Sequence, residues 1–457
     1  MPEAAQKFAG PEIGRALREA LFTGLLAFGL LLPLIGFNTV QNIRNELVLE
    51  TRWGLFFVLV GLIAGGRFVY SLVIGPWLAR RKGRAVVVLP DALRTAVARW
   101  AIPSVAGFVI LYPLLVILLK GPVEAAKWID NFGVQILIYV MLGWGLNIAV
   151  GLAGLLDLGY VASYAIGAYT CALLGKNFGL SFWMLLPLAG LLAAFWGILL
   201  GFPVLRLRGD YLAVVTLAFA EIVRLVAINW VPVTNGYAGV GGIPRPTLFG
   251  IPFDASEQGF AARFGLEFSS LHRLVFLYYV VLIAIFLAAL VISRLRRLPI
   301  GRAWEALRED EIACRSLGIN TTNSKLTAFA IGAMFGGLAG AFFTARQGFI
   351  SPESVTFNES ALILAIVVLG GMGSQAGIAV AAVAIIGSIE GLRDLGLLQR
   401  LFGPDFDPTQ YRMLLFGFAM VLIIVWKPRG LVGTRRPTVV LKERKEISAG
   451  LVREGRA

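Results

Sequence analysis

Long apolar runs separated by short polar or basic stretches dominate the chain. Runs at about 21–37, 53–77, 101–119, 132–155, 158–175, 182–203, 211–230, 274–293, 325–345 and 411–426 approach or exceed the roughly 20 helical residues that cross about 30 Å of hydrocarbon. None alternates as a membrane barrel strand would, and a backbone in lipid must pair all its polar groups internally, so these runs read as helices. The apolar stretch between 360 and 390 is divided by Gly370, Gly371 and Gly373 into arms shorter than a full crossing. It reads either as two short spans or as re-entrant half-helices. The pattern predicts an all-α polytopic transmembrane helical bundle of about 10–12 membrane segments.

Three parts follow from the spacing of the runs. Residues 1–120 hold three helices, 121–430 the main bundle and 431–457 a basic tail, with a loop at Gly121–Asn131 marking the first boundary. The run Leu21–Phe37 lacks a clear small-residue cleavage site, which favours a retained first helix over a cleaved signal peptide. The basic stretch at 79–84 reads as a stop-transfer signal, and a Pro- and Gly-containing loop fills 231–273. Gly197 and Gly201, Gly332 with Gly336 and Gly340, and Gly387 and Gly391 recur at four-residue spacing. Small residues on one helix face let backbones approach closely, which matters where lipid supplies no hydrophobic drive for association.

Composition agrees, with 58% apolar and 15% charged residues. The formal net charge of +14 raises nucleic acid as a partner, but the position of the charges argues against it. About 27 of the 41 Lys and Arg fall in loops on one side and about 12 on the other, so the basic side is expected to be cytoplasmic. Two crossings at 360–390 then place both termini there. Cys171 and Cys314 read as small buried hydrophobes rather than a disulfide framework. His272 is the single histidine, which leaves no His/Cys zinc cluster and no Ser-His-Asp arrangement.

The segment 301–318 is too polar to span. Ala303, Trp304, Leu307 and Ile312 fall near helical spacing among charged residues, so it reads as a short amphipathic helix outside the bilayer, with Gly318 at its C-cap. Its mixed charge suits docking on another protein better than lying in a membrane interface; a solvated loop helix is the plainer alternative. Glu221 and Arg224, three apart in an apolar run, share a face and can pair, with the bundle interior as the expected location. Arg67 either snorkels or meets a carboxylate. The turn at 370–377 is a pathway candidate, because broken backbone at membrane depth must be covered by protein or a water-filled cavity; tight packing alone explains it as well. The 234–242 loop lies on the outer side, as a docking surface or an ordinary turn.

Several stretches in order resemble the LivM-type permeases of branched-chain amino-acid ABC importers. They are Gly209-Asp-Tyr-Leu-Ala-Val-Val-Thr-Leu-Ala-Phe-Ala-Glu-Ile-Val-Arg224, Thr234-Asn-Gly-Tyr-Ala-Gly239 with Gly242-Ile-Pro244, and Gly370-Gly-Met-Gly-Ser-Gln-Ala-Gly377, while 301–318 is similar to the cytoplasmic coupling loop of importer permeases. The resemblance spans about 135–430, and the three-helix N-terminal part also fits the LivM branch. One departure is that Leu156, Asp157 and Tyr160 stand where many relatives carry a Gln and Ser before the Leu-Gly pair and a His after it, which leaves the exact substrate open. The resemblance implies a permease subunit in the bacterial inner membrane. Its partners would be a LivH-type permease, two cytoplasmic ATPases that hold ATP and Mg, and a periplasmic binding protein. This chain carries no phosphate-binding loop and would itself bind no cofactor. ATPase coupling would fall to Arg302, Trp304, Glu305, Leu307, Arg308, Glu309, Asp310, Glu311, Leu317 and Gly318. Pathway or gating candidates are Asp157, Tyr160, Glu221, Arg224, Gly370, Gly371, Gly373 and Ser374, and Thr234, Asn235, Gly236 and Gly239 would form the loop that meets the binding protein. The implied solutes are leucine, isoleucine and valine. Urea or short amides are the in-family alternative. An ion-coupled secondary carrier using Asp157, Glu221 or Glu390 is another, though no convincing inverted repeat is evident; a non-transporting scaffold would not require the charged segment.

Overall fold

A computed structural model describes residues 13–32, 37–41, 47–51, 53–69, 91–204, 209–248, 250–257 and 259–394, with a few isolated positions besides. The basic stretch at 79–84, nearly all of the span at 411–426 and the tail at 431–457 lie outside the described residues. The chain divides into two compact units, Met1–Val105 and Ala106–Ala457.

In the first unit, α1 (Ile13–Leu31) and α2 (Trp53–Val69) pack together, and the polar stretch between them forms an antiparallel pair, β1 (Phe37–Gln41) with β2 (Leu47–Thr51). Phe28 meets Phe56 edge to face with ring centroids 5.1 Å apart, and Gly24 leaves room for the Ala64 methyl. Arg67 donates to Glu19 at 3.2 Å, so the carboxylate that its sequence position called for lies on the neighbouring helix. Leu21, Phe22, Leu25 and Leu62 point outward, an apolar face suited to lipid.

α3 (Asp91–Trp128) continues into the second unit. The loop expected at Gly121–Asn131 is instead helical, a correction with a local cause. Gly121 alone takes φ 77° and ψ 166°, so α3 is two helices that meet at a kink there, and Ile129–Val134 then winds as a π turn into α4 (Gln135–Asn147). A second π turn at Ile148–Leu152 closes α4, and the backbone runs non-helically through 153–159 before α5 (Val161–Phe178). The bundle continues with α6 (Phe182–Val204), α7 (Asp210–Asn229), α8 (Ser270–Arg297), α9 (Pro299–Glu309), α10 (Glu311–Ser316), α11 (Thr321–Gln347), α12 (Phe357–Gly370) and α13 (Gln375–Asp394). Among the described residues six helical stretches are long and apolar enough to cross a membrane.

The core forms where α11 lies against α5 and α6. A Cβ on Gly337 would sit 2.5 Å from the Ala189 carbonyl oxygen, one on Gly197 would sit 2.7 Å from the Ala333 methyl, and one on Gly340 would sit 2.2 Å from the Tyr164 carbonyl oxygen. Of the four-residue glycine series of α11, Gly332 and Gly340 face the Gly145 and Tyr164 carbonyls and Gly336 faces the Ser163 and Tyr160 side chains, so the series marks a face of close approach to α4 and α5. Gly387 and Gly391 of α13, by contrast, have no neighbour within 4 Å among the described residues. The 360–390 stretch is a helix-turn-helix, α12 and α13, pivoting on Gly371 and Gly373 at φ 100° and 92°.

Candidate functional site

The charged segment predicted as one helix is two. Pro299 opens α9 at its first turn, where a missing N–H costs nothing, and Asp310 in extended conformation ends it. The Asp310 carboxylate then accepts from the Ile312 and Ala313 N–H groups at 2.7 and 3.0 Å and starts α10. α10 stops at Ser316, and Gly318 at φ 78° serves the expected termination.

The amphipathic reading holds for α9. Trp304 is fully buried and its indole N–H donates to the Ser324 carbonyl at 3.0 Å, while Leu307 is buried beside it. Ile312 departs from the predicted stripe and is exposed, as are Arg302, Glu309, Asp310, Leu317 and Gly318. Those residues form an outward face of mixed charge with two apolar side chains. Glu305 pairs with Arg296 at 3.3 Å, and Glu311 with Lys325 at 2.9 Å and Arg315 at 2.8 Å, which ties α9 and α10 to the ends of α8 and α11. Cys314 is buried; that burial, with Asp310 and Glu311 nearby, pushes its thiol pKa up.

Arg308 of α9 donates to the Gly151 carbonyl, and its stem lies against Gly154, whose added Cβ would come within 2.8 Å of the Arg308 Cγ. Arg296 reaches the Gly373 carbonyl at 3.4 Å, and the Gly373 N–H donates to the Asn147 side chain at 2.8 Å. Ser374 caps α13 by accepting from the Gly377 N–H at 3.1 Å. The charged segment, the break after α4 and the Gly370–Ser374 turn thus meet in one place, although they are distant in sequence.

Side chains satisfy the backbone of the break. The Asp157 carboxylate accepts from the Gly159 N–H at 2.9 Å, the Thr216 hydroxyl accepts from the Leu158 N–H at 3.1 Å, and Ser360 donates to the Leu158 carbonyl at 2.5 Å. Tyr160 is buried and donates to the Gly332 carbonyl at 3.1 Å. Asp157 and Tyr160 therefore hold the break in shape. Glu221 and Arg224 pair at 2.9 Å, but Arg224 also binds Glu353 at 3.1 Å and the Glu221 side chain is 46% exposed, so the pair sits on the flank of the chain and not in its interior. In the 234–242 loop, Thr234 is buried and donates to the Ala227 carbonyl at 2.6 Å, and Gly236 and Gly239 are also buried. Asn235, in left-handed conformation, donates to the Gly239 carbonyl at 3.0 Å and is the exposed member of the four. The short pair β3 (Val240–Gly241) with β4 (Phe349–Ile350) anchors the loop to the end of α11.

Sequence reading missed a polar cavity of about 400 Å³ lined by Asp130, Gln135, Tyr139, Tyr164, Arg346 and Glu359 among others. Arg346 binds Asp130 through two nitrogens at 2.7 and 3.0 Å and Asn131 at 3.0 Å; Tyr139 donates to Glu359 at 2.7 Å. Each ionisable residue there is isolated in its own stretch of sequence, so no spacing links them.

A family described as the branched-chain amino acid transport system/permease component matches residues 128–424, and a domain family of unknown function matches residues 15–112. The chain is 47% identical over 415 residues to the LivM permease protein of the high-affinity branched-chain amino acid transport system of Salmonella typhimurium, covering 85% of this chain and 95% of that one. The Escherichia coli LivM protein is 46% identical over the same shares. The Salmonella typhimurium LivH permease protein is 26% identical, over 66% of this chain and 92% of that one. No solved structure matches the chain.

Proposed function

The chain belongs to the branched-chain amino acid transport permease family, and from that premise we propose that it is the transmembrane subunit of an ATP-driven importer of leucine, isoleucine and valine. It works beside a LivH-type permease in the bacterial inner membrane, with both termini cytoplasmic. Two cytoplasmic ATPases hold ATP and Mg, and a periplasmic binding protein delivers the solute. Similarity to both LivM and LivH proteins supports the permease pair.

The observation that carries this reading is the double attachment of α9. Its buried side grips α11 through Trp304 and the post-α4 break through Arg308, and its opposite side presents Arg302 and Glu309 to solvent. A load applied to the exposed face is therefore passed both to a packed helix and to irregular backbone. ATPase closure pressing on this face would shift α11 against α5 and α6 and move residues 151–159 with it. Such a shift is discrete, because packed interfaces are bistable and do not deform continuously.

Replacing Glu305 and Glu309 by Arg in the assembled importer is expected to lower leucine uptake by about tenfold or more, the scale of a 1–3 kcal/mol coupling energy, while ATP hydrolysis continues. Unchanged uptake would refute the coupling role. ATPase subunits that fail to co-purify with the chain would refute the importer reading itself.

A further inference from the structure

The loop between α7 and α8 folds back against α8 through a run of neighbouring aromatic rings. Phe253 stacks on Phe276 with centroids 4.8 Å apart, Phe260 lies 4.9 Å from Phe253 and 5.8 Å from His272, and Phe264 lies 4.7 Å from Phe260. Trp183, in the first turn of α6, meets Phe276 edge to face at 6.4 Å and donates from its indole N–H to the Thr247 carbonyl at 2.9 Å. Ser269 then caps α8 by accepting from the Leu271 N–H at 3.2 Å. These contacts tie the loop to α6 and α8.

The composition of α8 sets the level at which they do so. Its uncharged run 274–293, closed by Arg273 and Arg294, is about 30 Å long at roughly 1.5 Å per residue. That is the thickness of the hydrocarbon, which a polar layer of roughly 5–8 Å flanks on each side. Phe276 thus stands just inside the hydrocarbon boundary and His272 just outside it, and the loop that rests on both reaches down to that boundary. Residues 262–268 are all exposed, with Phe264 at 58%, Leu266 at 50% and Phe268 at 55%. Apolar residues scattered singly over a surface need no explanation, but this cluster beside a membrane-crossing helix does. Phe264 touches Phe260, which touches His272, and Phe268 comes two residues before α8 begins. Leu266 lies between them, so the cluster sits at the level of the headgroup layer, where aromatic and leucine side chains of interfacial segments settle.

We propose that residues 264–268 are a shallow membrane anchor, whose Phe264, Leu266 and Phe268 side chains insert into the lipid headgroup layer of the leaflet away from α9. The apolar side chains reach the edge of the acyl chains, and Glu267 stays with the headgroups and water. α8 passes into α9 through Leu298, so the anchor holds the far end of the helix that carries the charged segment. It requires a membrane bundle and not an importer, so its test is independent of uptake.

The test places a bimane fluorophore on Leu266→Cys and, separately, on Phe268→Cys, in the full chain reconstituted alone into nanodiscs of phosphatidylethanolamine and phosphatidylglycerol. The unsubstituted chain, whose two cysteines are buried, is the blank, and Leu317→Cys on α10 is the water-exposed control. A phospholipid bearing a nitroxide high on its acyl chain is expected to remove most of the bimane emission at 266 and 268 and to leave that at 317 unchanged. Aqueous iodide is expected to do the reverse, and a LivH-type permease or a binding protein added afterwards to change neither result. Nitroxide quenching at either position sustains the anchor, which keeps the test open if one variant does not fold. Iodide quenching at both positions equal to that at 317, with no effect of the nitroxide lipid, overturns it. So does protection from iodide that arises only when one of those proteins is added, or lipid quenching that is then lost, since either result assigns the surface to a protein partner.

Discussion

The guanidinium of Arg308, on a helix outside the bundle core, donates to the main-chain carbonyl of Gly151, in the π turn that closes α4 just before the backbone becomes irregular at 153. An irregular backbone leaves carbonyls without intrahelical partners, and a cation is a strong donor for one of them. The bond thus joins the element exposed to a partner with the backbone that departs from regular structure. Replacement of Arg308 by Gln keeps part of the hydrogen-bonding capacity and removes the charge, and Arg308→Ala removes both. Leucine uptake by the assembled importer is expected to fall in the order wild type, Gln, Ala, reaching about tenfold or more for Ala, with ATP hydrolysis persisting. Equal loss of uptake and hydrolysis in the Ala variant would assign Arg308 to folding or assembly instead of transmission.

Glycine positions separate close approach from mere spacing. A Cβ on Gly159 would lie 1.9 Å from the Thr216 carbonyl oxygen, and rigid backbone cannot yield to it, whereas Gly387 has nothing within 4 Å among the described residues. Gly159→Ala is therefore expected to cost at least the roughly 1–3 kcal/mol of overpacking and to deplete the protein from membranes. Gly387→Ala, in the middle of α13, is expected to be neutral or to stabilise by up to about 1 kcal/mol. Thermal unfolding of the purified chain read by tryptophan fluorescence compares the two. A Gly159→Ala variant as stable as wild type would contradict the packing described.

Asp310 divides the charged segment because its carboxylate, accepting from Ile312 and Ala313, offers the chain a better arrangement than continuing α9. Asp310→Ala is expected to cost about 1 kcal/mol locally, with faster hydrogen exchange at the Ile312 and Ala313 amides, and Asp310→Asn to restore most of the protection. Exchange unchanged in the Ala variant would remove the capping role.

The membrane class and the amphipathic nature of 301–318 were legible because both depend on periodicity along one stretch of chain. Trp304 and Leu307 fall on the buried face that their spacing indicates, and the Glu221–Arg224 pair forms as a three-residue separation permits. Sequence spacing does not carry contacts between distant stretches. Nothing near Arg346 points to Asp130, 216 residues away, or near Tyr139 to Glu359, 220 away. The division at Asp310 was obscured for a different reason, since an aspartate among charged residues reads as one more solvated position unless its backbone conformation is known. At Gly121 a single residue of positive φ separates two helices where a whole loop was expected, because one glycine can turn the backbone between segments that each favour helix.

Thiol labelling tests the sidedness and the burial of the charged segment together. Both natural cysteines, Cys171 and Cys314, are buried, and the reactive species is the thiolate. Burial and the nearby Asp310 and Glu311 carboxylates raise the Cys314 pKa, so less thiolate is present at any pH below it than for a free thiol. The wild-type chain is thus expected to resist maleimide at pH 7, with reaction at Cys314 rising as pH increases yet lagging an unfolded control throughout. Leu317 is 80% exposed and two positions before the stop of that segment is complete at Ile319. Leu317→Cys should label readily, and with a membrane-impermeant maleimide only in inside-out vesicles, since the segment has to face the ATPases. Labelling of Leu317→Cys in intact cells, with the outer membrane permeabilised and the inner membrane sealed, would put α9 and α10 on the wrong side for an ATP-driven importer.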